Sequence, residues 1–276
     1  MRHVTIFTMT AGFGFLSLLV LASAQEDRQK FLDQQTCPSC DLYAVEMRSI
    51  DIKGADLTDA NLREADLKDA VLPGAIFIDT DLRRTEMENV DVSGSDFTDA
   101  KMRGVDLEKA NAAKSRFVSA DLRDSDFEKA VLTEANFHGA DLRSGMMRRV
   151  EAQGATFSDT KMDFIDLQRA NIAGANFNDS RLPYSDLSRV NASGASFENV
   201  DFSWARMSSA DFSGTNLNGS DLSSVLMRRT NFAGADLSEA SGLDQKRLDL
   251  ACGDDKTKLP SGYSIPVCTE YRIHDQ

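Results

Sequence analysis

Large apolar residues recur at every fifth position along most of this chain. We call this position i, and it runs from Leu42 to Leu237 without a slip, about forty units in which the residue is mostly Leu, Phe or Met. Two residues earlier, at i−2, only Ala, Ser, Thr, Val, Ile, Gly or Cys occurs. Neither position ever carries a charge, so both are predicted to be buried.

A period of five residues fits neither of the regular elements. Five residues rotate a helix by about 500°, which would spread the apolar row around its surface, and an odd period sends successive apolar residues to opposite faces of a strand. The chain must therefore turn about once per unit. A turn that keeps i and i−2 inside, with the other three positions outside, predicts an all-β solenoid.

Phenylalanine indicates how many units close one coil. Phe occupies position i at intervals of twenty residues, at Phe77, Phe97, Phe117, Phe137, Phe157, Phe177 and Phe197. Twenty residues are four units, so the cross-section is four-sided and residues 41–241 make about ten coils. The Phe rings should stack as a ladder at the strand spacing of ~4.8 Å.

The repeated motif resembles that of a known family. Ala55-Asp56-Leu57 and Ala60-Asn61-Leu62 are typical of the pentapeptide repeat proteins, and the resemblance covers roughly three quarters of the chain. It implies a right-handed quadrilateral β-helix. The Asp or Asn at i−1 suits a turn because its side chain bonds nearby backbone.

Residues 1–24 have the pattern of an export signal. Arg2 provides a positive start, an apolar core runs to Leu21, and Ala22-Ser23-Ala24 is a cleavage site of small residues, so the mature chain is expected to begin at Gln25. A membrane anchor is the alternative, but the apolar run is shorter than the ~20 residues of a span. We therefore expect a periplasmic or secreted protein with no span in the mature chain.

Both ends of the repeat are expected to be capped. Residues 25–40 are predicted to be a mobile lead-in whose Phe31 and Leu32 pack on the first coil. Residues 242–276 are predicted to form a short capping helix at 243–251 and an irregular tail. Caps keep the open strand edges of a solenoid from pairing end to end.

Four cysteines in an exported chain indicate two disulfides. Ten coils would separate Cys37 and Cys40 from Cys252 and Cys268 by roughly 50 Å, far more than a disulfide spans. The expected bonds are therefore Cys37 with Cys40 and Cys252 with Cys268. A redox or metal role for the Cys-x-x-Cys is disfavoured, since no His adjoins either pair.

Composition gives little support to catalysis. The chain carries a net charge of −13 and only three His residues, which the repeat places far apart. Much of the acidity is Asp at i−1, where it serves the turns. No phosphate-binding or dinucleotide-binding glycine loop is present, so we expect no enzyme activity, no cofactor, no bound metal and no direct binding to nucleic acid.

The outer positions suggest a binding surface. A first arginine file at i+1 contains Arg63, Arg83, Arg103, Arg123 and Arg143, and a second basic file at i+2 of the next unit contains Lys109, Lys129, Arg149, Arg169 and Arg189. An aromatic file at i+2 contains Phe164, Tyr184 and Trp204. Either neighbouring carboxylates neutralise the basic files, or the files bind an anionic partner. The aromatic file is either covered, by itself or by the tail, or it is a binding patch or homodimer seam.

Two functional hypotheses follow. In the first, the protein is a non-enzymatic exported scaffold whose rigid flank binds a protein or an anionic component of the cell envelope. In the second, it mimics DNA and inhibits a topoisomerase such as gyrase, as some members of the family that it resembles do. Export disfavours the second hypothesis, because that target lies in the cytoplasm.

Overall fold

The computed structural model describes the backbone of residues 14–268 and the side chains of residues 23–268. Between the two ends the chain forms a ladder of single-residue parallel bridges, each of which joins a residue to the one twenty positions later. The ladder begins with Thr36 and Asp56 and continues at every fifth residue to Asp221 and Ser241. The predicted four-sided solenoid, with four units in each coil, is therefore confirmed.

The hydrogen bonds of one unit explain its length. In the unit around Leu57, the N–H groups of Asp56, Leu57 and Asp59 donate to carbonyls of the neighbouring coils. The N–H of Ala60 closes the turn on the Leu57 carbonyl at 3.1 Å. The fifth N–H, on Thr58, donates to the side chain of Asp56 at 3.1 Å. Every N–H of the unit has a partner, as burial against the next coil requires.

The corners require an unusual backbone conformation. The residue at i+2 has a positive φ in nearly every unit, as the third residue of a type II turn does. Glycine occupies many of these corners, but Asp, Asn, Ser, Lys and Arg occupy many others. Side chains at these positions point away from the core, so corner residues contribute little to packing.

The interior holds the two predicted rows. Residues at i and i−2 are buried along the repeat, with Ile50 in an early coil as a partly buried exception. The seven Phe side chains from Phe77 to Phe197 stack with ring centroids 4.6–5.0 Å apart. Buried Ser and Thr at i−2 donate to turn carbonyls, for example Ser115 Oγ to Val92 O at 2.7 Å. Polar groups inside the solenoid are thus satisfied by its own backbone.

Helix α1, Gly14–Gln34, covers the N-terminal end of the solenoid. The lead-in is helical to Gln34 and not a mobile segment, but its predicted packing on the first coil is confirmed, because Phe31 is completely buried and Leu32 packs against the core. Asp27 Oδ2 accepts the Asp41 N–H at 2.9 Å, which ties the helix to the first coil. The first thirteen residues of the predicted export signal lie outside the described residues. Within residues 14–268 no helix combines the length and apolar character needed to cross a membrane.

The C-terminal cap is mostly extended chain. Helix α2 spans only Gln245–Leu248, shorter than predicted, with Asp244 as its N-cap. Residues beyond it pair with the last coil, since Cys252 bridges Asn231 and Lys258 bridges Asp236, although these separations exceed the twenty residues of a regular coil. Hydrogen bonding to the open edge of the last coil therefore prevails over the helical apolar spacing. The tail closes that edge, as expected of a cap.

The two disulfides join neighbouring cysteines at opposite ends. Cys37 bonds to Cys40 with a Cα–Cα distance of 5.5 Å, and Cys252 bonds to Cys268 with a Cα–Cα distance of 4.8 Å. This is the pairing that the length of the solenoid predicts.

Replacing Phe137 by Ala is expected to lower the free energy of unfolding by about 3 to 5 kcal/mol, because it removes a buried rung from the ladder. The matched control is Phe164→Ala on the outer surface, which loses one exposed stacking contact and should cost under about 1.5 kcal/mol. Denaturant melts of both variants give the comparison. Equal losses would contradict the placement of the two rings.

Disulfide mapping of the non-reduced mature protein should find Cys37 linked to Cys40 and Cys252 linked to Cys268. Proteolysis followed by mass spectrometry detects the linked peptides. A cross-link between the N-terminal and C-terminal pairs within one monomer would be incompatible with a solenoid of ten coils.

Candidate surface for an anionic partner

The first arginine file is neutralised in place. Each member lies beside a carboxylate, and the pairs are Arg63 with Glu64, Arg83 with Asp81, Arg103 with Asp124, Arg123 with Asp121, and Arg143 with Asp141. In three of these pairs the arginine at i+1 reaches back to the turn Asp at i−1 of its own unit. The structure thus favours local neutralisation for this file.

The arginines of two of these pairs lower the pKa of the carboxyl group beside them. Arg123 donates two hydrogen bonds to Asp121, at 2.7 and 2.6 Å, and they lower the pKa of Asp121 although partial burial opposes the shift. For Asp81, burial acts to raise the pKa, but the hydrogen bonds from Arg83 outweigh it and the pKa is lowered. Both carboxylates therefore stay ionised at neutral pH, and the file offers little free positive charge.

The second basic file divides into two parts. Lys109 Nζ lies 3.0 Å from Glu108, and Lys129 Nζ lies 3.1 Å from Glu128. The later three members, Arg149, Arg169 and Arg189, are exposed at the surface. Among the side chains of residues 23–268, none forms an ion pair or hydrogen bond with these three guanidinium groups. We call them the arginine corner.

The difference follows from the preceding residue. Glu108 and Glu128 precede the two lysines, whereas Arg148, Gln168 and Ser188 precede the three arginines. From residue 148 onward, the position before each arginine of the corner therefore no longer holds an acidic residue. This change was visible in the sequence, but treating the five basic residues as one file concealed it.

The arginine corner borders a groove of about 590 Å³. We call this groove the arginine groove. Its lining consists of Glu128, Arg148, Arg149, Gln168, Arg169, Asp186, Ser188, Arg189, Arg206, Ser208 and Ser209. Arg148 and Arg206 are partly neutralised, at 3.2 Å from Asp166 and 3.6 Å from Asp186. The Ser188 hydroxyl is buried and has no hydrogen-bond partner.

The lining of the arginine groove is positive, with five arginines and two carboxylates, on a chain of net charge −13. Sequence reasoning missed Arg148 and Arg206 because they lie outside the two files.

The aromatic file is exposed. Phe164, Tyr184 and Trp204 are 61%, 54% and 58% accessible, so the described part of the tail does not cover them. Their rings stack nearly parallel, with centroids 5.1 and 6.2 Å apart. All three have positive φ, at 60°, 58° and 63°. This conformation is shared with the other corners of the solenoid, but bulky aromatic residues adopt it less readily than Gly, Asn or Asp.

The aromatic file and the arginine corner lie on opposite edges of one face. Arg169 and Arg189 each come one unit after an aromatic residue, Phe164 and Tyr184, whereas Arg149 follows Ser144 and lies one coil before Arg169. Between them the face carries Asp166 and Gln168, and in the next coil Asp186 and Ser188. We call this the basic-aromatic face. It differs from the flank expected from the sequence, in which the aromatics join the first arginine file.

Two clusters of polar side chains among the described residues could suggest catalysis or metal binding. The His138 ring is exposed, and its Nδ1 lies 2.9 Å from the Ser158 hydroxyl and 3.6 Å from the Asp159 carboxylate, so both partners meet the same ring nitrogen. Asp27 lies close to both sulfurs of Cys37 and Cys40, but those sulfurs are bonded to each other. The remaining single carboxylate is a weak ligand set.

Comparison with known proteins identifies the fold. The chain is similar to the crystal structure of HetL, a pentapeptide repeat protein involved in heterocyst differentiation regulation in the cyanobacterium Nostoc sp. strain PCC 7120. The two sequences are 24% identical over 75% of this chain and 94% of HetL, and the TM-score is 0.60. Full-length QnrB1, a plasmid-mediated fluoroquinolone resistance protein, matches at 20% identity over 76% of this chain and 94% of QnrB1, with a TM-score of 0.29. The likeness to HetL informs the fold and not the function. No curated protein sequence matches the chain at a significant level.

The repeat model of one family covers most of the chain. Eight copies of the model described as pentapeptide repeats match residues 50–149 and 153–241. The matched residues lie within the solenoid, and the family fold is a right-handed quadrilateral β-helix. The chain therefore belongs to the pentapeptide repeat family.

Proposed function

We propose that this protein is an exported, non-enzymatic scaffold that binds an anionic component of the cell envelope, or an acidic protein there, through the basic-aromatic face. The observation that carries the proposal is the arginine corner, whose three guanidinium groups have no acidic partner among the described residues. Most other basic side chains on the solenoid lie beside a carboxylate. Unpaired like charges about 5 Å apart repel one another and favour a bound anion.

The aromatic file supports the same proposal. Aromatic residues and arginine are enriched at binding surfaces, where they provide most of the affinity. Phe164, Tyr184 and Trp204 occupy corner positions at which Gly, Asn or Asp would be less strained. Strained conformations without a structural benefit concentrate at functional sites. These side chains stay exposed, so their benefit is expected from a partner.

The fold contributes a rigid backbone to the proposed binding surface. Every coil is hydrogen bonded to the next along three positions of each unit, so the corner residues are held at a fixed spacing. A surface that is already ordered loses little conformational entropy when it binds. The β-helix thus acts as a template, and the chemistry of binding comes from side chains on one face.

The DNA-mimic hypothesis rests on overall acidity. Many of the carboxylates have a structural task instead: Asp66 accepts the N–H of Lys68, and Asp96 accepts the N–H of Thr98. Turn chemistry therefore accounts for much of the negative charge without a DNA-binding target. The location of the protein in the cell separates the two hypotheses.

Export is tested by fractionating cells that produce the full chain. The mature protein should be found outside the cytoplasm, with Gln25 as its first residue by mass spectrometry. Leu19→Arg places a charge in the apolar core of the signal and should leave the precursor inside the cell, whereas Gln29→Arg, beyond the cleavage site, should be exported normally. An unprocessed cytoplasmic parent chain would refute the exported scaffold.

Binding is tested by co-sedimentation of the mature protein with purified envelope. The variant Arg149→Gln/Arg169→Gln/Arg189→Gln should lose most of the bound fraction, and Trp204→Ala should reduce it. Arg63→Gln/Arg83→Gln/Arg103→Gln, with the same change of charge, should bind as the parent does, because those arginines are already paired. Thermal melts should be similar for all, since every substituted side chain is on the surface. Equal binding by all variants would mean that the basic-aromatic face is ordinary solvated surface.

A further inference from the structure

We propose that the side of the solenoid that carries the basic-aromatic face binds a second copy of this chain, in an antiparallel dimer with two-fold symmetry. The inference rests on the proposed use of that face for an acidic partner, and it identifies the partner as an acidic stretch of the same side in another molecule. Its supports are a reversal of charge along this side, the common period of the two copies and the position of the aromatic file.

The charge of this side changes sign about halfway along the solenoid. In the four coils whose position i runs from Leu67 to Phe127, the outward positions i−1, i+1 and i+2 hold eight acidic and three basic residues. In the next five coils, from Met147 to Met227, the same positions hold seven basic and two acidic residues. We call the two stretches the acidic half and the basic half, and the basic half includes the basic-aromatic face. Each half therefore has five charges in excess, of opposite sign.

The carboxylates of the acidic half are only partly neutralised. Its lysines lie beside glutamates, as Lys109 does at 3.0 Å from Glu108, but they are too few for all the acidic groups. Burial raises the pKa of Asp126, and repulsion from Asp106, Glu108 and Glu128 acts in the same direction, although a hydrogen bond from the Glu128 N–H opposes the shift. A positive charge placed opposite these carboxylates would relieve the repulsion. The arginine corner in the basic half offers such charges.

The reversal of charge favours one relative orientation of two copies. If both copies ran in the same direction, the acidic halves would meet each other and so would the basic halves, and like charges repel. If one copy runs the opposite way, each acidic half meets a basic half, and both contacts form at once. Such an interface is self-complementary and closes as a dimer. A separate anion would bind the basic half alone, whereas a second copy matches both halves.

The two copies also share one period. Successive coils are 4.6–5.0 Å apart, as the centroids of the stacked Phe rings show. Charges on one copy therefore recur at the spacing of the charges on the other, and no mismatch accumulates from coil to coil. The sign changes between Lys129 and Arg149, so the two-fold axis is expected near these residues, and the contact extends over most of the side.

The antiparallel arrangement also covers the aromatic file. The two-fold axis crosses the side at right angles to the solenoid axis, so each long edge of the side meets the same edge of the partner. The exposed Phe164, Tyr184 and Trp204 then face the part of that edge that holds Arg84 and Gly104 in the other copy. An arginine beside aromatic rings is a favourable contact, and a glycine leaves room for a ring. Rings that are exposed in one copy are thus buried between two.

Sedimentation velocity of the mature protein over a range of concentrations tests the dimer. The parent should change from monomer to dimer as its concentration rises. The variant Arg149→Glu/Arg169→Glu/Arg189→Glu, which makes the whole side acidic, should raise the dissociation constant about tenfold or more. The variant Glu86→Lys/Glu88→Lys/Glu108→Lys, which makes the whole side basic, should do the same. An equimolar mixture of the two variants should form a heterodimer, because an acidic side then meets a basic one.

The matched control is Asp59→Lys/Asp79→Lys/Asp99→Lys. It changes the charge as much as the second variant does, at exposed residues of a corner that does not border this side, and it should dimerise as the parent does. Thermal melts of all variants check that each one folds. Small-angle X-ray scattering needs no variant: the maximum dimension of the dimer should stay close to that of the monomer, because the copies lie side by side.

A parent that stays monomeric at every concentration would overturn the inference, as would two folded variants that do not associate when mixed, a control that also loses the dimer, or a dimer about twice as long as the monomer. If the parent is monomeric but still sediments with envelope through the arginine corner, the inference fails and the proposed function stands with another partner. A parent that dimerises as expected but remains in the cytoplasm would refute the exported scaffold and support the dimer.

Discussion

In each five-residue unit, three N–H groups can reach a neighbouring coil, one can close the turn, and one remains for which the backbone has no acceptor. In the unit around Leu57 that last N–H belongs to Thr58, and the side chain of Asp56 accepts it. The Asp or Asn at i−1 is therefore part of the backbone hydrogen-bond network. This bond recurs in many units, while units without Asp or Asn at i−1, such as those of Val71 and Leu226, close through the backbone bond of the turn alone. The burial of Leu, Phe and Met in the interior depends on that closure.

The same constraint explains why an acidic chain need not have an acidic function. A turn that needs a carboxylate or amide every five residues acquires negative charge along all four faces. Basic residues two positions later fold back onto these carboxylates, as Arg123 does onto Asp121. Most of the positive charge on the solenoid is thus neutralised at short range, and exposed pairs of this kind add little stability. Charge becomes available for binding only where the local partner has been replaced, as it has beside Arg149.

The sequence predicts the solenoid well because the fold is quasi-one-dimensional. The apolar residues at i and i−2 indicate directly which side chains are buried, and the recurrence of Phe at every twentieth residue indicates the length of one coil. Both predictions depend on spacing alone. Ion pairing depends on which of several neighbours a long side chain reaches. The repeat pattern alone therefore does not predict that Lys129 pairs with a carboxylate whereas Arg149 does not. The ends were predicted less well. Helix α1 extends to Gln34 because its Phe31 fills the open end of the core, and α2 stops at Leu248 because the last coil requires an extended strand.

A rigid template imposes its own period on whatever it binds. Hydrogen bonds between coils fix the backbone at each corner, so the Cα atoms from which the arginines extend keep the coil spacing whatever partner binds. Simultaneous contact with arginines on successive coils raises affinity more than any single contact does, and it favours partners whose anionic groups recur along the solenoid axis. The selectivity of the basic-aromatic face therefore follows from the same bond between Asp and backbone that fixes the five-residue turn.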